Sequence, residues 1–181
     1  MTVPLSRRAA LAALLLPALL AGCDGKPKTA AAPAPREVSD AAIGHYCGMQ
    51  LSEHGGPKSQ IFLADRPDPV WFSSVRDGFA FTLLPEEPKN VVAFYVNDMG
   101  KAKDWDQPEA GSWIEAKAAW FVIESRKRSG MGADEAVPFG TEAAAAAFAA
   151  ANGGRVVRYD GMPRGYILPE GAPAPRAQGG A

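Results

Sequence analysis

Cys47-Gly48-Met49 sets a thiol and a thioether two residues apart, and His45 stands two residues before the thiol. Thiolate and thioether sulfur are soft donors that favour Cu(I), and imidazole also suits copper. The chain holds two cysteines. The other, Cys23, closes an export signal and is expected to be consumed by a lipid. That leaves Cys47 unpaired in an oxidising compartment, where exported proteins ordinarily pair their cysteines or lack them. A lone thiol kept beside a methionine is therefore expected to hold a soft metal. In an extended segment, residues two apart project to one side, so both sulfurs are expected to converge on one ion. Gly48 leaves the backbone between them free to adjust. Binding displaces the thiol proton, so affinity is expected to depend on pH. His45 and His54 lie close to Cys47 in sequence and are further candidate donors, with a surface role outside the site as the competing reading of each.

The chain is short of catalytic parts. No nucleophile–base motif, phosphate-cradling glycine loop or paired-cysteine zinc motif occurs in it, and both histidines fall within ten residues of the one remaining thiol. An enzyme is not expected. An electron-transfer copper site wants two histidines, a cysteine and an axial methionine, and the tight His-x-Cys-x-Met spacing does not match the usual spread of such ligands.

Residues 1–22 read as a lipoprotein signal peptide. Arg7 and Arg8 give a positive start, Ala9 to Ala21 is apolar, and Leu20-Ala21-Gly22-Cys23 ends it in the manner of a bacterial lipobox. The apolar run is shorter than the ~20 residues of a membrane-spanning helix, so it is expected to be removed, with Cys23 lipidated. The arginine pair loosely resembles a twin-arginine signal. Once Arg7 and Arg8 leave with the leader, the formal charge falls from −1 to −3. Nucleic acid and anionic surfaces are then unlikely electrostatic partners. Residues 23–36 are rich in Ala, Pro and Lys and residues 169–181 in Ala, Pro and Gly, and both bury too little apolar surface to offset ordering entropy. They read as a flexible tether and a disordered tail around one domain, residues 37–168.

Within that domain two halves share one order, at about 58–100 and 117–160. In the first, Gln60 to Ala64 and Val70 to Phe72 read as strands. Ser73 or Ser74 caps a helix to about Leu84, ended by Pro85 and Pro88. Asn90 to Asn97 is β-branched and aromatic, hence a strand. In the second, Ala118 to Ile123 and Ala136 to Phe139 are strands, Thr141 caps an alanine-rich helix, and Gly153-Gly154 stops it. Arg155 to Tyr159 closes the half. An offset of 67 residues lays Val70 on Val137, Ser74 on Thr141 and Phe81 on Phe148. The fold class is α+β, with two similar ββαβ halves packed together. The large aromatics are expected in the core, and Glu124 to Arg128 as a solvated loop.

His45 to Met49, followed by Glu53-His54-Gly55-Gly56-Pro57-Lys58-Ser59-Gln60-Ile61, resembles the signature of the NosL family, lipoproteins that accompany nitrous oxide reductase. Val96-Asn97-Asp98-Met99-Gly100, Gly130-Met131-Gly132 and Val137-Pro138-Phe139-Gly140 extend the match. The resemblance implies a Cu(I)-binding periplasmic chaperone, lipid-anchored to the inner or outer membrane, that helps assemble the reductase's copper centres. It implies the NosDFY transporter complex as partner and, through it, the reductase. An alternative is a lipid-anchored assembly factor that docks on NosDFY with copper only structural. The family's fold is also like that of organomercurial lyase, whose set of cysteines this chain lacks. Met99 is the expected third metal ligand, since it follows a strand in a glycine-containing loop of a matching segment. Met131 is the second choice.

Overall fold

The computed structural model describes residues 31–171. The signal peptide, Cys23, most of the expected tether and residues 172–181 lie outside the described residues.

Two antiparallel sheets are built by the same rule. In the first, β1 (Ser59–Leu63) lies between β2 (Val70–Phe72) and β3 (Val91–Asn97), and helix α1 (Val75–Leu83) connects β2 to β3. A further edge strand, β4 (Trp113–Glu115), pairs with β3. In the second sheet, β5 (Trp120–Ile123) lies between β6 (Val137–Phe139) and β7 (Arg155–Arg158), and α2 (Glu142–Asn152) connects β6 to β7. The central strand of each half is the first in sequence, and it is flanked by the second and the third. The 67-residue offset holds for β2 with β6 and for the two helix starts at Val75 and Glu142. Strand β4 and a short final helix, α3 (Arg164–Ile167), stand outside the repeat.

Both helices start where their hydroxyl caps dictate. Ser74 Oγ accepts from the Asp77 N–H and Thr141 Oγ1 from the Ala144 N–H, each satisfying a donor that the first turn leaves free. Gly153, at φ 74°, ends α2.

One apolar core joins the halves. Ile61, Phe72, Phe79, Phe81 and Phe94 of the first pack with Phe121 and Ile123 of the second. Phe79 is its hinge, edge-on to both Phe94 (5.4 Å between centroids) and Phe121 (5.1 Å). A smaller core under α2 gathers Met99, Val122, Val137, Phe139 and Ala145. Trp71 and Trp120 are half-buried rather than core, and the Arg158 guanidinium lies over Trp120. In the charged run, Glu124, Arg126 and Arg128 are exposed as expected of a solvated loop, but Ser125 is buried and Lys127 lies half-buried over the Trp105 ring.

The expected tether ends earlier than residue 36. Gln60, fully buried in β1, reads the backbone of Arg36 from both sides: its Oε1 accepts from the Arg36 N–H (2.9 Å) and its Nε2 donates to the Arg36 carbonyl (2.8 Å). The Tyr95 hydroxyl donates to the Pro33 carbonyl, and Arg36 pairs with Asp68. Residues 33–36 are thus fastened to the first sheet. A buried amide left without partners costs about 1–3 kcal/mol, so these bonds offset part of the entropy of ordering residues 33–36.

Candidate metal site

The sulfur motif sits on a hairpin at the outer edge of β2. Leu51 N–H donates to the Ala42 carbonyl, Ile43 pairs with Gln50, and Gly44 N–H donates to the Met49 carbonyl (2.9 Å). Gly48 N–H then reaches back to the Gly44 carbonyl (2.8 Å), closing a single helical turn over residues 44–48. Gly48 has φ 66°, the left-handed region that glycine enters without strain, and this reverses the chain into Met49. The hairpin hangs on β2 through a parallel bridge from Gly44 to Trp71 and a 2.7 Å bond from His45 N–H to the Trp71 carbonyl.

This corrects the extended geometry expected for Cys47 and Met49. The two sulfur residues are joined by a tight turn with glycine at its reversal, not by strand alternation, and the Cys47 thiol lies 3.9 Å from the Met49 carbonyl oxygen. Cys47 is half-buried, the free thiol among the described residues, and its Sγ lies over Gly44, where a Cβ would come within 2.4 Å of it. Met49 is 37% exposed. A sheltered thiol beside an open thioether suits a soft ion that must be both held and released.

His45 is turned away from this pair. Its ring packs edge-on to Phe72 and Phe81, and its Nε2 faces Glu87 Oε1 at 3.4 Å. The Tyr46 hydroxyl donates to the same oxygen at 2.8 Å. Burial first, then the bond to Glu87 and its charge, holds that hydroxyl protonated far above the usual phenol range. Residues two apart in a helical turn face opposite sides, so the arrangement sets His45 on the Glu87 side and Cys47 on the other. Among the described residues, no three His, Cys, Asp or Glu side chains converge to hold a metal ion.

The structure does not bring the remaining candidates to Cys47. Met99, expected in a loop with little burial, is 9% exposed and packs in the core under α2, its N–H donating to the Pro138 carbonyl. The hairpin lies beside β2 while Met99 follows β3, and β1 stands between those strands. At ~4.8 Å per strand the separation is about 14 Å. Met99 is a packing residue in this arrangement because the second half supplies the surface that covers it. Met131 is exposed on a loop whose Gly130 abuts His54 and Gly55. His54 is buried beside that loop, with Nε2 unpartnered. Sequence reasoning missed Glu87. Its contacts span 41 and 42 residues, and nothing local to Glu86-Glu87 signals them.

A soft-sulfur turn mounted on the edge of a small doubled α+β domain is the arrangement that a protein binding a soft metal near its surface would use. The chain belongs to the NosL family, whose model matches residues 35–167. It is 48% identical over 141 residues to the copper-binding lipoprotein NosL of Achromobacter cycloclastes, covering 77% of this chain and 72% of that protein. The copper-binding lipoprotein NosL of Stutzerimonas stutzeri is 33% identical over 150 residues, covering 83% and 77%. The crystal structure of the copper chaperone NosL from Shewanella denitrificans superposes with a TM-score of 0.68 at 31% identity, covering 72% of this chain and 96% of that one. These relatives are copper-binding proteins, not enzymes.

Proposed function

We propose that this chain is a lipid-anchored periplasmic carrier that takes Cu(I) on the Cys47–Met49 turn and supplies it for assembly of the copper centres of nitrous oxide reductase. One observation carries this reading: the free thiol is half-sheltered on a glycine-reversed turn whose neighbouring thioether is open to solvent. The thiolate supplies charge compensation and the thioether adds softness without charge. An incoming donor can approach from the Met49 side and displace the neutral sulfur first, so the ion passes by ligand exchange and is never free. The names of the relatives support copper and a lipoprotein, and Leu20-Ala21-Gly22-Cys23 supplies the lipidation site. The NosDFY complex is the proposed receiver on the way to the reductase.

The test is anaerobic Cu(I) titration against a competing chelator. Wild type should bind one ion, Cys47→Ser should lose tight binding, and Met49→Ala should weaken it less. Zn(II) should compete poorly, because a structural zinc site wants four N, S or O ligands. Tight binding retained by Cys47→Ser would sink the proposal.

A further inference from the structure

We propose that Glu87 is a positioning residue for the sulfur turn: by clasping His45 and Tyr46 it fixes the conformation in which Cys47 and Met49 offer their sulfurs to the ion. This rests on the copper reading above. Glu87 lies in the connection from α1 to β3, between Pro85 and Pro88, whose locked φ angles leave that segment few alternatives. Its N–H donates to the Leu84 carbonyl, and its side chain is only 11% exposed. A carboxylate so placed needs partners. It finds them in the two residues immediately before Cys47, with one oxygen taking the Tyr46 hydroxyl at 2.8 Å and facing His45 Nε2 at 3.4 Å.

The rings reinforce the clasp. His45 and Tyr46 both pack on Phe72, and His45 also on Phe81, so Glu87 holds two rings that rest on the main core. With residues 45 and 46 held on that side, the helical turn sends Cys47 the opposite way. Its Sγ comes to rest over Gly44, the neighbour three residues back. Without the clasp, the turn keeps a few backbone bonds at an exposed sheet edge. It would then populate the two-sulfur arrangement only part of the time, and apparent affinity falls by that fraction.

The experiment compares Glu87→Ala, Glu87→Gln and Cys47→Ser by three readouts: Cu(I) affinity in chelator competition, the ultraviolet thiolate-to-copper absorption, and the rate at which iodoacetamide alkylates Cys47 in the metal-free protein. Glu87→Ala should lower affinity about tenfold, the scale on which groups orienting metal ligands act, and should speed alkylation by freeing the thiol from Gly44. Glu87→Gln keeps an oxygen acceptor for both partners and should stay close to wild type in all three. If Glu87→Ala does not fold, Tyr46→Phe decides, since it keeps the ring on Phe72 and removes only the donated bond; faster alkylation is then expected. Wild-type affinity and alkylation in Glu87→Ala, or a Glu87→Gln as weak as Glu87→Ala, would overturn the clasp. Copper binding retained in Cys47→Ser would instead overturn the copper reading itself.

Discussion

Met49 and Met99 each stand beside a glycine in a turn, and the fold places them in opposite surroundings. Met49 projects from the hairpin into solvent, while Met99 fills the space between Val122, Val137, Phe139 and Ala145. A flexible thioether serves either purpose, as a soft donor or as a gap filler. Met99→Ala should therefore cost about 2–3 kcal/mol of stability, as a truncated core methionine does. Cu(I) affinity should stay unchanged. Thermal unfolding alongside chelator competition checks both, and a drop in affinity at constant stability would return Met99 to the site. Nothing within a few residues of either methionine distinguishes them. What buries Met99 is a strand and helix some 40 residues later in the chain, which local pattern does not reveal. Cys47 and Met49 stand out as candidates because their chemistry lies in residue type and spacing. The turn that joins them does not, since His45 to Met49 carries no strong helical or strand periodicity.

At the scale of elements, α1 starts with help from the other half. Ser74 caps one N–H, and Glu135, just before β6, accepts from the Val75 and Arg76 N–H groups and from Ala136. Burial, with Asp77 adding to it, pushes the Glu135 carboxyl up to about 8 despite those three bonds. A folded-state pKa raised above the usual 4.5 means that the folded chain holds this proton more tightly than the unfolded one. Its contribution is full below pH 4.5 and is lost as pH rises through about 8. Asp77, also raised by burial, acts in the same sense. Lys58, lowered by burial from 10.5 to about 8, acts between those values and leaves the window below 8 to Glu135. Denaturant unfolding from pH 5 to 8 should show stability declining in wild type. The decline should flatten in Glu135→Gln, and equal slopes in the two would contradict it. Strands and both long helices were legible because apolar alternation and hydroxyl caps are local signals. Strand β4 and the Glu135 contact were not, since each depends on a partner supplied by the fold.

At the scale of the whole molecule, the fastening of residues 33–36 defines where the folded body begins. A chain that starts at residue 33 should match the full protein in stability. One that starts at 38 strips the buried Gln60 amide of its two bonds to Arg36 and should lose about 2–3 kcal/mol, the cost of unpaired buried polar atoms. Thermal melts of the two chains test this, and identical melts would show that water satisfies Gln60 instead. Composition alone places Ala, Pro and Lys in a tether throughout residues 23–36. The signal that stops the tether early is a polar side chain in a central strand, which reads from sequence as a lapse in the apolar run.

The root of that strap and the sulfur hairpin share one hollow, since Arg36 and Glu37 line it together with Ile43, His45 and Trp71. In a chain anchored through Cys23, only residues 24–32 separate the lipid from the fastened Pro33. Nine residues fully stretched reach about 30 Å. The leash thus joins the folded body on the face where the base of the sulfur hairpin meets β2. If the Cys47–Met49 turn carries copper as proposed, the ion is confined to a layer above the bilayer no deeper than the leash plus the domain. A receiver in the same membrane would then meet it by lateral diffusion, and each carrier would count for more in that layer than it would free in solution.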